Sequence, residues 1–245
     1  MDKKYAKKTL EMFLSFPLNT GKPVLEHFAT LPGASVHLDG GKNNFVYVPG
    51  TREDRVLLVA HVDTVWDEMY CKKFYEQKPI CRWGVYKGTD KECGIGADDR
   101  AGCAILWLLK DSGHSLLVVD GEEHGQIGSN HIKTEYPEIF DELNSHSYMI
   151  QFDRRNNNDY KVYSLPVSDD FIAFVEKSTC FYDAGRNART DIVTLCRDIC
   201  AVNLSIGYYD EHTPRETLRF NHWFKTLTLA EKILAEGQKR YLLNN

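Results

Sequence analysis

The stretch Leu116-Leu-Val-Val-Asp-Gly-Glu-Glu-His-Gly125 carries the pattern that decides the fold of this chain. A short apolar run ends abruptly in ionisable residues, first Asp120 and then the adjacent pair Glu122 and Glu123. A run of this length is typical of a strand that is buried on both faces of an α/β sheet. The sequence therefore predicts acidic side chains at the carboxyl end of a buried strand.

The same pattern occurs at three more places, where an apolar run leads into residues with ionisable or phenolic side chains. These are residues 56–60 before His61 and Asp63, residues 148–152 before Asp153, and residues 202–206 before Tyr208, Tyr209 and His212. In open α/β sheets, ligands bind beyond the carboxyl ends of the strands. We therefore expect these scattered side chains to lie in one site.

Segments with helical periodicity alternate with the apolar runs, at residues 101–110, 169–176 and 227–234. Two helices are also expected before residue 33, and a further strand at residues 44–48. Strands that alternate with helices predict an α/β fold with a mixed, largely parallel central sheet flanked by helices on both faces. Because we find no repeat, low-complexity tract or linker, we expect residues 1–245 to form a single domain.

The overall composition excludes several classes of function. The net charge is -5 and the isoelectric point is near 6.0, so the chain lacks the basic surface that nucleic acid binding requires. No apolar run approaches the roughly 20 residues of a membrane span, and we predict neither a membrane segment nor a signal peptide. The seven cysteines, Cys71 among them, include no Cys-x-x-Cys pair, which favours free thiols and a cytoplasmic location.

The segment His61-Val-Asp63 could form part of a metal site. Residues two apart in extended backbone project to the same side. Asp63 could then accept the second ring N–H of His61 while the other nitrogen binds a metal. For a lone His-x-Asp segment, a hydrogen-bonded pair without a metal is the commoner arrangement.

The glycine-rich segment at residues 94–102, Gly-Ile-Gly-Ala-Asp-Asp-Arg-Ala-Gly, precedes an apolar helix. It does not fit a dinucleotide-binding loop, because Asp99 stands where the third glycine belongs and two carboxylates would repel a phosphate. An aspartate is a favoured helix cap, but one is enough for that purpose. The pair Asp98-Asp99 therefore indicates a carboxylate that is held close to a cation.

The adjacent residues Glu122 and Glu123 suit a division of labour, in which one carboxylate binds a metal and the other accepts a proton from water. A solvated loop is the alternative for such a pair, as a surface salt bridge is for Asp153 and an ordinary loop position is for His212. Their joint occurrence at strand ends favours a metal site. Imidazole and carboxylate ligands without a thiolate suit zinc, with manganese and cobalt as alternatives.

Taken in order, these motifs resemble those of the co-catalytic zinc exopeptidases, a superfamily that contains zinc aminopeptidases, peptidase T and glutamate-releasing carboxypeptidases. The resemblance extends from about residue 56 to residue 212, which is most of the chain. The matching segments are His61-Val-Asp63, Gly96-Ala-Asp98-Asp99, Glu122-Glu123-His-Gly125-Gln-Ile-Gly128, Asp153 and His212.

The resemblance implies a set of five metal ligands. Asp98 would bridge two divalent ions. One ion would also bind His61 and Asp153, and the other would also bind Glu123 and His212.

The resemblance also implies two catalytic residues. Glu122 would be the general base that activates water and later the acid that protonates the leaving amine. Asp63 would orient His61, and the peptide bond between Asp98 and Asp99 would be cis.

The chain departs from those members of the superfamily that carry an inserted domain before the last histidine. Only 59 positions separate Asp153 from His212, which leaves no room for such a domain. The chain is therefore more similar to the single-domain aminopeptidases. Candidate substrate-binding residues are Tyr208 or Tyr209, either of which could polarise a carbonyl, and Asp191, which follows a threonine as in the substrate pocket of the family.

We expect a two-metal hydrolase that cleaves an amide bond, either an aminopeptidase or another exopeptidase acting on a small peptide or amide. One alternative is a non-peptide amidohydrolase or deacylase with the same site. Another is an inactive binding module of the same fold, although such a protein would be expected to have lost a ligand or the base. A two-metal phosphoesterase shares these ligand types, but the sequence has no other feature of phosphate recognition.

Overall fold

A computed structural model describes residues 1–66 and 79–244 of the protein, so the predicted free thiol of Cys71 lies outside the described residues. The helices in these ranges are α1 Lys3–Phe13, α2 Lys22–Phe28, α3 Ala97–Leu108, α4 Ile127–Glu135, α5 Pro137–Asn144, α6 Asp169–Thr179, α7 Asp191–Leu195 and α8 Phe220–Ala235. The strands are β1 Ser35–His37, β2 Phe45–Val48, β3 Leu57–His61, β4 Ile80–Arg82, β5 Val85–Lys87, β6 Ser115–Val119, β7 Met149–Arg154, β8 Asp159–Lys161, β9 Tyr182–Asp183, β10 Ala201–Ser205, β11 Tyr208–Tyr209 and β12 Thr217–Arg219.

The main sheet has eight strands in the order β1-β2-β6-β3-β7-β10-β8-β9. Its centre is parallel, because β3 pairs in parallel with β6 and β7, and β7 pairs in parallel with β10. On either side, β2 and β8 run antiparallel to their inner neighbours. The mixed, largely parallel sheet that the sequence predicts is therefore confirmed.

Helices lie on both faces of this sheet, as the chain path requires. The segment from β3 to β6 contains α3, and the segment from β6 to β7, on the opposite side of β3, contains α4 and α5. Crossovers between parallel strands are right-handed, so connections that run in opposite directions place their helices on opposite faces. The strand order reverses at β3, and the crevice at its carboxyl end is where open α/β sheets bind ligands.

The five predicted strands are found as β2, β3, β6, β7 and β10, with ends shifted by one or two residues. Every residue of β3 and β6 is buried, as expected for strands covered on both faces. The helix expected at residues 101–110 begins earlier, at Ala97, but Asp98 and Asp99 in its first turn have non-helical dihedral angles. Within α3, Gly102 lies so close to β7 that a Cβ atom there would collide with the carbonyl oxygen of Phe152.

A second sheet, which the sequence does not predict, has four short strands in the order β11-β12-β5-β4. All its pairings are antiparallel. The turn between β11 and β12 contains His212. The second sheet therefore holds one of the predicted ligands beside the main sheet.

The cysteines and the helices of the described ranges bear on the predictions of free thiols and of no membrane segment. Six cysteines are free thiols, at positions 81, 93, 103, 180, 196 and 200. Within residues 1–66 and 79–244, no helix has both the length and the apolar character that are needed to cross a bilayer.

Candidate metal centre

The carboxylate of Asp98 lies between two histidines, with one oxygen facing each ring. Its Oδ1 is 3.1 Å from Nε2 of His61, and its Oδ2 is 3.1 Å from Nε2 of His212. His61 ends β3 of the main sheet, whereas His212 belongs to the turn between β11 and β12. The two sheets therefore meet at Asp98.

The backbone at the start of α3 has an unusual conformation that positions Asp98. Gly96 has a φ of 64°, which glycine adopts without steric cost. The peptide bond between Asp98 and Asp99 is cis, as the resemblance implies. The glycine-rich segment is thus a tight turn that carries a carboxylate rather than a phosphate-binding loop.

Two more carboxylates complete the cluster around the histidines. Oδ1 of Asp153, near the end of β7, is 3.5 Å from Nε2 of His61. Oε1 of Glu123, which follows β6, is 3.0 Å from Nε2 of His212. The structure therefore brings together all five residues that were predicted as metal ligands, in the two groups that the resemblance implies.

Asp99 is a further carboxylate close to His61, and it competes with Asp98 for the role of ligand. Potential ligand atoms of Asp99, His61 and Asp153 lie within 4.8 Å of one another. The oxygens of Asp99, however, already accept hydrogen bonds from the backbone N–H groups of His61 at 3.3 Å and Gly102 at 2.9 Å. We therefore assign the position between the histidines to Asp98.

Asp63 connects His61 to the segment that follows β6. Its Oδ1 is 3.3 Å from Nδ1 of His61, on the side of the ring away from Asp98. Its two oxygens also accept hydrogen bonds from the backbone N–H groups of Glu122 and Glu123, both at 3.1 Å. Asp63 is fully buried, so it can fix the ring of His61 and the two glutamates together.

Glu122 lines the cavity beside the ligands. In the described part of the chain, no group hydrogen-bonds to its carboxylate. Burial raises the pKa of Glu122 well above its usual range, and the nearby carboxylates of Asp153 and Asp191 raise it further. A carboxyl group with these properties is suited to accept and return a proton.

The electrostatics of the cluster call for positive charge. Burial and the neighbouring Asp98 raise the pKa of Asp153 to about 6 and that of Glu123 to about 7. Close contacts with the carboxylates of Asp98 and Glu123 raise the pKa of His212 to about 11, although its side chain is 48% exposed. Crowded, buried carboxylates of this kind are stabilised in their ionised form by bound cations.

The spacing of the ligand atoms fits divalent ions. Zinc binds histidine nitrogen and carboxylate oxygen at about 2.0–2.2 Å, so two ligand atoms at a tetrahedral angle lie about 3.3–3.6 Å apart. The contacts between histidines and carboxylates here range from 3.0 to 3.5 Å. Within the described ranges, moreover, the buried Oε1 of Glu123 has no hydrogen-bond partner. The residues present therefore fit a pair of cations.

Three polar side chains that the sequence analysis missed hold Asp153 in place. Its Oδ2 accepts hydrogen bonds from Gln151 at 3.0 Å and from Thr190 at 2.9 Å, which leaves Oδ1 to face His61. The side-chain amide of Asn203 accepts from the Asp153 N–H at 2.9 Å and donates to its carbonyl oxygen at 2.8 Å. The sequence offered one signal for two of them, because Gln151 and Asn203 are polar residues inside the apolar runs 148–152 and 202–206.

Glu216 is another residue that sequence reasoning missed. It is only 2% exposed, and its oxygens accept hydrogen bonds from the backbone N–H groups of Gly96 at 2.8 Å and Asp98 at 3.1 Å. Burial raises its pKa to about 8. Because Glu216 follows His212 by four positions, the turn that carries His212 also positions Asp98, which the resemblance predicts to be the bridging ligand.

The structure separates the three candidate substrate-binding residues. Tyr208 lines the cavity, and its hydroxyl group donates to Oδ1 of Asp153 at 3.4 Å. Tyr209 is next on β11 and its hydroxyl lies 2.7 Å from Nδ1 of His222, away from the cavity lining. Asp191 is fully buried and accepts a 2.5 Å hydrogen bond from Ser129 without lining the cavity.

The open cavity above the cluster has a volume of about 310 Å³. Three residues that line it have positive φ angles, namely Tyr163 at 54°, Ala188 at 76° and His212 at 60°. Residues other than glycine rarely adopt this conformation, and those that do concentrate at functional sites. The backbone around the cavity therefore supports its assignment as the functional site.

No protein-family model matches this sequence, and no curated protein is significantly similar to it. Solved structures do match. The aminopeptidase PepT from Bacillus cereus aligns with a TM-score of 0.71 and 14% identity over 96% of this chain and 98% of that chain. A tripeptidase from Staphylococcus aureus aligns with a TM-score of 0.68 and 14% identity over 96% of this chain and 98% of that chain. An aminopeptidase from the archaeon Desulfurococcus kamchatkensis aligns with a TM-score of 0.65 and 13% identity over 96% of each chain.

The chain shares the fold of these three solved structures. This finding agrees with the predicted α/β fold, a mixed and largely parallel sheet flanked by helices. In this fold, the crevice beyond β3 holds His61, Asp98 and Asp153, which are the residues expected from the sequence.

Proposed function

We propose that the protein is a two-metal peptidase, an exopeptidase that most simply acts as an aminopeptidase on short peptides. The observation that carries this proposal is the placement of the Asp98 carboxylate between His61 and His212. Beside it lies the carboxylate of Glu122, which makes no hydrogen bond to any residue that the structure describes. The shared fold with known aminopeptidases and a tripeptidase supports a peptidase activity. Because both sheets contribute ligands, we further propose that residues 1–245 act as one catalytic domain.

The two groups of side chains define how the ions would be held. His61, Asp98 and Asp153 would bind one ion. His212, Asp98 and Glu123 would bind the other. Zinc suits these ligands, with manganese and cobalt as alternatives.

The residues around the ions have complementary tasks in amide hydrolysis. When bound, the ions make water a nucleophile near neutral pH and polarise the substrate carbonyl. Glu122 accepts the proton of the attacking water and returns it to the departing amine. Asp63 keeps the ring of His61 in place. The hydroxyl of Tyr208 would exchange its long 3.4 Å hydrogen bond to Asp153 for one to the substrate carbonyl.

The proposal can be tested with protein that is purified without added metal. Elemental analysis should find about two divalent ions per chain. A panel of aminoacyl amides, short peptides and N-acyl amino acids should show release of amino-terminal residues, with loss on chelation and recovery on addition of zinc. Cleavage of N-acyl compounds alone would indicate a deacylase, and a metal-loaded protein without any hydrolysis would indicate a binding module.

A further inference from the structure

We propose that Lys161 and Arg189 form a subsite for a carboxylate group of the substrate. This inference rests on the proposed peptidase function and names its substrate class. The preferred substrates are short peptides that carry a carboxylate about two residues away from the amide that is cleaved.

Lys161 is a buried cation that lines the cavity. It lies on β8 and is only 9% exposed. Its Nζ donates one hydrogen bond, at 2.8 Å, to the carbonyl oxygen of Asn187, and it lies 5.6 Å from the centre of the Tyr163 ring. Among residues 1–66 and 79–244, Lys161 forms no ion pair. A buried ammonium group has three donors, so this one retains donors for an anion in the cavity.

Arg189 lines the same cavity from the loop before α7. It is exposed, and in the described ranges its guanidinium group has neither an ion pair nor a hydrogen bond. The next residue, Thr190, donates to Oδ2 of Asp153 at 2.9 Å. The backbone of Arg189 is therefore anchored to the metal cluster, while its side chain remains available to a ligand.

Two other cations line the cavity, but each already has a carboxylate partner. Arg154 forms an ion pair with the buried Asp159. Arg155 pairs with Glu211 at 2.9 Å. These pairs are close to neutral, so the uncompensated positive charge comes from Lys161 and Arg189.

The position of Lys161 in the sheet sets the length of the substrate. Lys161 is the register partner of Asn203 on β10, and Asn203 is the register partner of Gln151 on β7, two residues before Asp153. Two strand spacings amount to about 10 Å. Two residues of extended peptide span about 7 Å, which is the length scale of this separation between the strands. The cavity volume of about 310 Å³ is likewise small, as suits a short peptide.

The charge of the cavity favours an anion once the metal cluster is loaded. Four carboxylates line the wall near the histidines, at positions 98, 122, 123 and 153. Two divalent ions would offset these four charges. The remaining cations would then attract a carboxylate, and arginine is well suited to bind it through two parallel hydrogen bonds.

The carboxylate could come from the free terminus of a tripeptide or from an acidic side chain, and paired substrates distinguish these sources. We would compare Ala-Ala-Ala with its C-terminal amide, and Ala-Glu-amide and Glu-Ala-amide with their glutamine counterparts. In at least one pair, the substrate with the carboxylate should have a kcat/KM about tenfold higher or more. Arg189→Ala and Lys161→Met should remove this preference mainly through KM, whereas Arg186→Ala, in the same loop but outside the cavity lining, should retain it.

Binding provides a second measurement that does not depend on turnover. The same pairs would be titrated calorimetrically into metal-loaded Glu122→Gln protein, with and without Arg189→Ala. In each pair, we compare the affinity for the peptide that has the carboxylate with the affinity for its neutral counterpart. If the carboxylate peptide binds more tightly and Arg189→Ala removes this difference, the subsite is supported, even if the unmodified protein hydrolyses no peptide. Equal affinity and equal kcat/KM within every pair, or a preference that survives both substitutions, would overturn it while leaving the peptidase proposal standing.

Discussion

Glu216 accepts a hydrogen bond from the backbone N–H of Asp98 at 3.1 Å. The same carboxylate accepts from the N–H of Gly96, and it belongs to the turn that carries His212. The distance between Asp98 and His212 is therefore fixed through backbone contacts as well as through the contact between their side chains. Glu216 is a positioning residue, since it does not line the cavity.

Replacement of Glu216 by alanine should weaken both the fold and the metal centre. The change leaves two buried N–H groups without partners, at about 1–3 kcal/mol each. We expect a loss of about 2 kcal/mol or more in the free energy of unfolding, measured with urea in the presence of a chelator, and weaker metal binding. Glu216→Gln keeps one acceptor oxygen, so its free energy of unfolding should lie between those of the unmodified protein and Glu216→Ala. The control Glu53→Ala, at an exposed position, should have the same free energy of unfolding as the unmodified protein. If Glu216→Ala also leaves the free energy of unfolding unchanged, the contacts of Glu216 do not contribute to stability.

Glu122→Gln should abolish peptide hydrolysis without removing the metal. Glutamine has nearly the same shape but cannot accept the proton, and general base catalysis contributes about 10²–10⁴ to the rate. The measurement is kcat for the best peptide substrate together with the metal content per chain. Retention of full activity would exclude Glu122 as the base, and loss of the metal would make it a ligand instead.

His212→Ala should reduce the metal content from about two ions per chain to about one. His212 is 48% exposed and lies at the rim of the cavity, so loss of its side chain should spare the fold. His61, in contrast, is buried in the main sheet. Elemental analysis after dialysis gives the stoichiometry, and circular dichroism checks the fold. His131→Ala, at a surface ion pair with Asp39, should keep two ions. A His212→Ala protein that still holds two would contradict the assignment.

Gly102→Ala should destabilise the protein, although alanine ordinarily stabilises a helix relative to glycine by about 1 kcal/mol. The sign reverses here because the new Cβ would collide with the Phe152 carbonyl oxygen and with the carboxylate of Asp99. Overpacking of this kind costs about 1–3 kcal/mol. Gly237→Ala, where no atom lies within 4 Å of the added carbon, is the control in thermal unfolding. A higher midpoint for Gly102→Ala would mean that α3 can move away from β7.

His146 should make stability depend on pH far from the metal centre. The side chain of His146 is 1% exposed. Its Nδ1 donates to backbone carbonyl oxygens and its Nε2 accepts a hydrogen bond from Ser115 at 2.7 Å, so the imidazole is in its neutral form. Burial, with a smaller contribution from Arg55, lowers its pKa to about 4 from an ordinary value of 6.5. Above pH 6.5 neither the folded nor the unfolded state binds this proton, so the contribution of His146 is complete there.

Below pH 6.5 the unfolded state takes up the proton and the folded state does not, so stability falls as the pH falls toward 4. Between pH 7 and pH 5 the loss should be about 2 kcal/mol. Urea unfolding of metal-free protein at both values measures it. His146→Gln cannot titrate, and its loss over this interval should be smaller by about that amount. An identical pH dependence in the two proteins would show that His146 already becomes protonated in the folded state.

The sequence predicts those parts of the fold that have a strong local pattern. The runs that became β3, β6 and β7 are long enough, and apolar enough, to indicate buried strands. The strands β4, β5, β11 and β12 have two or three residues each, too few for any periodicity, so the second sheet could not be predicted. The placement of His212 beside Asp98 depends on that sheet and was expected only from the resemblance.

The candidate ligands were predictable because each follows a recognisable run or motif, whereas the residues that support them were not. Glu216 acts on backbone N–H groups more than a hundred positions away, and nothing in its own neighbourhood distinguishes it from a surface glutamate. Lys161 and Arg189 converge only after β8 and the loop before α7 have folded. Tyr209 was offered as an alternative to Tyr208, and neighbouring residues on a strand point to opposite sides, so only tertiary structure could separate them.

The proposed metal ligands come from both sheets and from segments as far apart as His61 and His212, which are separated by 151 positions. An extended chain presents them as isolated groups with little affinity for any ion. The proposed ions would therefore bind the native state alone, and each would shift the folding equilibrium by mass action. Scarcity of metal would thus shorten the lifetime of the protein against proteolysis as well as silence its chemistry.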